Sequence, residues 1–227
     1  MPGLRRISLL VAILALGCGS RGSAPDLVDV TTLAPSIRTD MRYADADNFV
    51  GEPVDGYEAA RCLLARPAAE ALAGVQRRLA ADGLGLLVYD CYRPQRAVDH
   101  FVRWAEDTAD VHTKAEHYPD VPKSRLFEEG YIAARSGHSR ASTADLTMVR
   151  VAGDGSAQPL DMGTPFDFFD PRSHTESPDV TQAQHANRVR LRDAMEAGGF
   201  HNYVDEWWHY TLNDEPYPDT YFDVVVR

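Results

Sequence analysis

The chain is nearly without lysine: of its 23 basic side chains only Lys114 and Lys123 are lysines, and no segment gathers a basic run. Against 34 acidic side chains this leaves a formal net charge of −11, a field that repels phosphate backbones and anionic lipid, so neither DNA nor RNA is expected as a partner. Long apolar runs are missing too. The stretch Ile7 to Leu16 falls well short of the roughly 20 residues that a bilayer span needs. Internal repeats, low-complexity tracts and long linkers are also lacking. What remains is 227 residues with 44% hydrophobic and 25% charged content. That composition excludes a collagen, a disordered tail and a multi-span membrane protein, and the length suits one domain with a full core.

Residues 1–18 read as an address. Arg5 and Arg6 precede the apolar run Ile7 to Leu16, in which Ser8 is the one polar member, and Gly17, Cys18, Gly19 and Ser20 follow. This is the layout of a secretory signal. The stretch Leu14-Ala15-Leu16-Gly17-Cys18 resembles a bacterial lipoprotein box, in which Cys18 would be lipidated and become the mature N-terminus. Ala15 and Leu16 depart from that pattern, so lipidation, plain secretion and an uncleaved anchor all stay open. Residues 19–26 then read as a tether, and 27–227 as one domain of an exported bacterial protein, periplasmic or membrane-anchored.

Cysteine is scarce, with three in the chain. Once Cys18 is set aside, Cys62 and Cys91 form an even pair in an oxidising compartment, where a disulfide is expected. Two buried free thiols are the equal alternative, since sequence does not give their separation.

Periodicity supplies the elements. Pro67 opens an amphipathic helix with Ala68, Leu72, Val75 and Leu79 on one face, and Gly83 closes it. Leu84 to Tyr89 reads as a buried strand. After the turn Asp90-Cys91-Tyr92-Arg93-Pro94, a second helix carries Val98, Phe101, Val102 and Ala105. From Thr143 to Val149 apolar and polar residues alternate, which turns Asp145 and Thr147 away from Ala144, Leu146 and Met148. A third helix spans 180–197 and ends at Gly198-Gly199, and the strand-like pieces Phe200 to Val204 and Trp207 to Leu212 follow. The fold class expected is α+β, a single domain with a central, mostly antiparallel sheet flanked by helices.

Two segments hold candidate metal ligands: Ser136-Gly137-His138 through to Asp145, and Glu206-Trp207-Trp208-His209. A catalytic zinc takes three protein ligands, keeps an open position, and works with a base that is not a ligand. Two His, one Asp and one Glu supply that set. Spacing does not single it out, because His100 and Asp107 repeat the separation of His138 and Asp145. Context favours His138, set among the small residues Ser136, Gly137 and Ser139 just before the strand that presents Asp145. His100 lies off the apolar stripe of its helix and reads as a solvated surface histidine. Glu206 and His209 are three apart and would face opposite ways on a regular strand, so both reach one metal only across a bulge or turn.

Several motifs, taken in order, carry a family resemblance. They are Asp47-Asn48-Phe49, Pro53-Val54-Asp55-Gly56-Tyr57, Tyr89-Asp90-Cys91-Tyr92-Arg93-Pro94-Gln95-Arg96-Ala97, Ser136-Gly137-His138-Ser139-Arg140 with Asp145-Leu146-Thr147, Met162-Gly163-Thr164 with Phe166-Asp167, Glu206-Trp207-Trp208-His209-Tyr210, and Asp214-Glu215-Pro216-Tyr217-Pro218. From about Asp40 to the end the chain resembles the D-alanyl-D-alanine dipeptidases of the VanX type, zinc peptidases of family M15 with a fold like that of the Hedgehog domain and the D,D-peptidases. The resemblance implies one zinc per chain held by His138, Asp145 and His209. It implies Glu206 as the base that activates water and Arg93 as the cation that stabilises the oxyanion. Tyr43, Tyr57, Asp90, Ser136 and Asp167 match positions that line the substrate pocket or support Arg93. Asp167 is the expected partner of the substrate ammonium, with Ser136 and Tyr57 nearer the carboxylate. Trp207 and Trp208 read as packing.

The implied reaction is hydrolysis of the free dipeptide D-Ala-D-Ala outside the plasma membrane, with a small dipeptide as partner. A D,D-carboxypeptidase acting on peptidoglycan stem peptides and a catalytically silent zinc-bearing binding module are the rivals. Membrane contact is expected only through a lipid on Cys18, and the sequence leaves the oligomeric state open. One departure from the family concerns Ala141, where glycine is usual: a positive φ there would cost about 1 kcal/mol and could tilt His138.

Overall fold

The computed structural model describes residues 24–227; the segment 1–18 read from the sequence as a signal, with Cys18, lies outside them. The elements run β1 (Leu27–Asp29), α1 (Val30–Leu33), β2 (Arg38–Thr39), β3 (Leu63–Ala65), α2 (Arg66–Ala80), β4 (Leu84–Asp90), α3 (Gln95–Glu106), α4 (Lys114–His117), β5 (Thr143–Val151), β6 (Ala157–Pro159), α5 (Gln182–Glu196), β7 (Phe200–Asn202) and β8 (His209–Leu212). The main sheet has the order β2-β4-β5-β8-β7, with β6 added to β5. Only the β2–β4 pairing is parallel, so the α+β class with a mostly antiparallel sheet holds.

The helices form where the apolar stripes place them. Pro67 sits in the first turn of α2, where its missing N–H costs nothing, and Leu72, Val75 and Leu79 are buried. On α5 the Thr181 hydroxyl accepts from the Gln184 amide while the Gln184 side chain accepts from the Thr181 amide, a reciprocal cap that satisfies two orphan donors. The turn after α5 then presses on α2 so closely that a Cβ at Gly198 would stand 2.4 Å from a Val75 methyl. Only glycine permits that approach.

Two strand expectations are corrected. The two late pieces shorten to Phe200–Asn202 and His209–Leu212, because Tyr203 to Trp208 leaves the sheet as a turn. The short strands β1, β2 and β3 precede the long helices, so strands are not confined to the later half; with two or three residues each they carry too little periodicity to read from sequence. Contacts with the domain begin at Asp26, whose carboxylate pairs with Arg66 at 2.7 Å and whose carbonyl accepts from the Arg66 amide.

Register decides where the chemistry sits. Between Val88 and Asp90 the β4–β5 ladder shifts, a bulge that sets Asp90 opposite Asp145. Asp145 in turn pairs with His209 on β8. Three adjacent strands thereby carry Asp90, Asp145 and His209 in one row across the sheet.

Candidate active site

His138 lies in a short 3-10 turn (Gly137–Arg140) whose cap is Ser136, the hydroxyl of which accepts from the His138 amide at 3.3 Å. Ala141 ends that turn with φ 64 and ψ 23, the left-handed region anticipated for the position where glycine is usual. Its amide still donates to the His138 carbonyl at 2.9 Å, so the turn is closed with alanine in place.

The His138 ring is fixed from behind. Nδ1 stands 2.7 Å from the Cys91 carbonyl oxygen, and because a carbonyl only accepts, Nδ1 carries the hydrogen and Nε2 is left as a lone pair. Nε2 is buried, has no hydrogen-bond partner, and faces Asp145 Oδ2 at 3.2 Å. A lone pair and a carboxylate oxygen at that separation repel unless a proton or a cation lies between them. Asp145 Oδ1 is likewise buried and unpartnered, with His209 Nδ1 at 3.1 Å out of line for a hydrogen bond. One donor atom each from His138, Asp145 and His209 come within 4.8 Å of one another. Two imidazoles and a carboxylate are the donor set of a catalytic zinc, and the orphaned atoms fit a cation in their midst.

Electrostatics point the same way. Burial alone would lower the His209 pKa, yet Asp145 and Glu206 hold it up at about 9. Burial would raise Asp145, but the two histidines outweigh it and keep the carboxyl well below the usual range. Without a metal His209 therefore carries a proton whose charge offsets Asp145, and a metal ion would take that proton's place.

The turn expected between Glu206 and His209 is present: the Glu206 amide donates to the Tyr203 carbonyl at 3.0 Å and the His209 amide to the Glu206 carbonyl at 3.3 Å. It brings Glu206 Oε2 to 3.3 Å from His209 Nδ1. Trp207 and Trp208 are buried on this turn as packing, Trp207 donating to the Thr164 hydroxyl at 2.9 Å.

Arg93 follows the bulge on the other side. Its Nε donates to Asp90 Oδ2 at 3.0 Å, and Nη2 lies 2.9 Å from the same oxygen and 3.5 Å from Asp145 Oδ2. The guanidinium also sits 5.0 Å from the rings of Tyr43 and Phe101. Asp90 is fully buried, and the Tyr57 hydroxyl donates to its other oxygen at 2.6 Å. Tyr57 and Asp90 thus stand behind Arg93. Neither is among the residues lining the cavity, which corrects the expectation that Tyr57 would lie near a substrate carboxylate.

The cavity itself is about 300 Å³, at the small end of ligand sites, and Arg93, Ser136, Asp145, Asp167, Glu206 and His209 all line it. Asp167 is buried with φ 57, and one oxygen accepts from the Tyr43 hydroxyl at 2.8 Å. Burial, with the Asp145 charge added, pushes its pKa well above the usual carboxylate range, against the pull of Tyr43. Burial likewise raises Tyr43 well above 10, so Tyr43 stays a donor.

His100 is elsewhere. It is wedged between Glu52 and the Asp55 amide, 3.2 Å from each, and so is more enclosed than a solvated histidine. Sequence reading missed Arg135, Tyr131 and Tyr203, which also line the cavity. Only Arg135 carried a signal, its place immediately before the Ser136-Gly137-His138 segment. Cys62 and Cys91 are bonded, with Cα atoms 5.1 Å apart.

Comparison with known proteins agrees with this picture. The peptidase M15 family model, described as D-ala-D-ala dipeptidase, matches residues 23–227. The chain is 48% identical over 201 residues to a D-alanyl-D-alanine dipeptidase of Streptomyces coelicolor, covering 88% of this chain and 98% of that one. It is 47% identical over 190 residues to that of Enterococcus faecalis, with coverages of 84% and 93%. Identity to the Escherichia coli enzyme of the same name is 34% over 187 residues, with coverages of 82% and 84%.

Proposed function

The chain belongs to the D-Ala-D-Ala dipeptidase family of peptidase M15, and from that membership we propose that it hydrolyses free D-Ala-D-Ala to D-alanine with one zinc ion held by His138, Asp145 and His209. The observation that carries the zinc is the pair of buried, unpartnered atoms, His138 Nε2 and Asp145 Oδ1, in a His138–Asp145–His209 trio whose ligand atoms lie within 4.8 Å of one another. Zinc bound there supplies a Lewis acid that polarises the scissile carbonyl and makes water a better nucleophile near neutral pH.

The chain's own residues do the rest. Glu206, beside His209 and open to the cavity, takes the proton from the attacking water and returns it to the leaving amine. Arg93, fixed by Asp90, offers N–H donors where negative charge develops on the carbonyl oxygen. Tyr57 keeps Asp90 oriented for that task. Asp167, held by Tyr43, receives the substrate ammonium, and a buried carboxylate gains most from a charged donor. Ser136 keeps its own hydroxyl hydrogen free while accepting from the His138 amide, so it can donate to the substrate.

Export belongs to the same proposal, on the sequence pattern Arg5 to Cys18. The enzyme would then meet its dipeptide outside the plasma membrane.

Zinc analysis and hydrolysis assays with and without chelator test the reading. Free D-Ala-D-Ala should be cut only by the zinc-loaded protein. N-acetyl-D-Ala-D-Ala and stem pentapeptides should be slower by about 30-fold or more, because each buries Asp167 without an ammonium partner. Equal rates on free and acetylated dipeptide would instead establish a D,D-carboxypeptidase.

A further inference from the structure

We propose that Arg135 is the residue that recognises the free α-carboxylate of the dipeptide, and so sets the requirement for a substrate that ends one residue past the scissile bond. This rests on the dipeptidase reading above. Among the described residues two arginines line the cavity, Arg93 and Arg135. Arg93 is already committed: its side chain is 12% exposed, it is paired with Asp90 at 2.9 Å, and it lies beside Asp145. Arg135 differs in each respect. It is exposed, it has no carboxylate within ion-pair distance among the described residues, and its guanidinium lies 5.0 Å from the ring of Tyr221. A guanidinium resting on an aromatic ring still presents its N–H edge, whose fork matches a carboxylate.

Charge along the wall supports the assignment. The acids Asp167 and Glu206 line the cavity and repel a carboxylate, while Asp167 attracts an ammonium. A zwitterionic dipeptide therefore has one favourable orientation, amine toward Asp167 and carboxylate toward the uncommitted cation. Distance allows it: Arg135 is three residues before His138, so their Cα atoms are at most about 11 Å apart, within the reach of an arginine side chain and one amino-acid residue. Ser136, next in the chain, brings a hydroxyl donor to the same wall.

The experiment compares zinc-loaded wild type, R135Q, R135K and R150Q on D-Ala-D-Ala and on D-Ala-D-alaninamide, whose C-terminus is neutral. Wild type should prefer the acid by about tenfold or more in kcat/KM, chiefly through KM. R135Q should bring acid and amide to within about threefold of each other, and R135K should restore part of the gap because it keeps the charge without the fork. Arg150, exposed on β5 outside the cavity, is the control, and R150Q should keep the wild-type ratio. Raising salt should shrink the acid preference of wild type, since an exposed pair is screened, and should leave R135Q unmoved. A merely structural role would slow both substrates alike and show no such salt dependence. An R135Q enzyme with the wild-type acid-to-amide ratio overturns the inference while leaving the dipeptidase intact, whereas a zinc-loaded wild type that cuts neither substrate overturns both.

Discussion

His138 Nδ1 donates to the Cys91 carbonyl at 2.7 Å, and this one hydrogen bond decides that Nε2 meets Asp145 as an unprotonated ligand atom. A ring so fixed loses little freedom on taking a metal. H138A and H209A should each therefore lose most of the zinc that the wild type carries, because two remaining donors do not hold the ion in tetrahedral geometry. H100A should keep it. Elemental analysis of purified protein gives the answer, and full zinc in an H138A/H209A double variant would end the assignment.

Glu206 is placed to move a proton without binding the metal. E206Q should retain zinc yet lose about 10²-fold or more in kcat, since an amide orients water but does not accept its proton. Metal content and turnover measured on the same sample separate the two roles, and near wild-type turnover would remove Glu206 from the mechanism.

Ala141 sits at φ 64 with no exposure. Glycine there relieves about 1–2 kcal/mol of left-handed strain but gives up a buried methyl worth about 0.8 kcal/mol and adds unfolded-state entropy of about 0.4–1 kcal/mol. A141G should thus lie within about 1 kcal/mol of wild type in urea unfolding. A141V, β-branched in a filled site, should lose about 2 kcal/mol or more. Equal stability of the valine variant would show that the turn rearranges.

The Cys62–Cys91 bridge closes a loop of 29 residues and ties β3 to the carbonyl that orients His138. Chain entropy alone makes it worth roughly 3–4 kcal/mol. C62A/C91A should unfold at correspondingly lower denaturant, and reductant should shift wild type but not the variant. Coincident unfolding curves for the two proteins would leave the bridge without a stabilising role.

His117 is buried with its ring nitrogen 3.1 Å from the Asp167 carbonyl, and burial depresses its pKa below the ordinary 6.5. The folded protein holds it neutral while the unfolded chain binds a proton near pH 6.5, so stability is present above that pH and falls as pH drops toward the folded value. The slope is at most about 1.4 kcal/mol per pH unit. H117N should flatten the difference in urea midpoint between pH 7.5 and 5. An unchanged difference would place the acid sensitivity in other groups.

Sequence by itself determined what is local. The start of α2 follows from Pro67 and the end of α5 from Gly198-Gly199, and the face that α2 buries follows from a period of 3.6, because such signals need no distant partner. The ordered motifs likewise named His138, Asp145, Glu206 and His209 in advance. Spacing alone left His138/Asp145 level with His100/Asp107; tertiary structure showed why the first pair meets His209, since β8 lies beside β5 and the bulge at Val88–Asp90 sets Asp90 opposite Asp145. It also placed Tyr57 behind Arg93, turned Glu206 and His209 to one side, and opened Arg135 onto the cavity. Those outcomes are set by cross-strand register and by turns, in which one residue of shift sends a side chain to the opposite face.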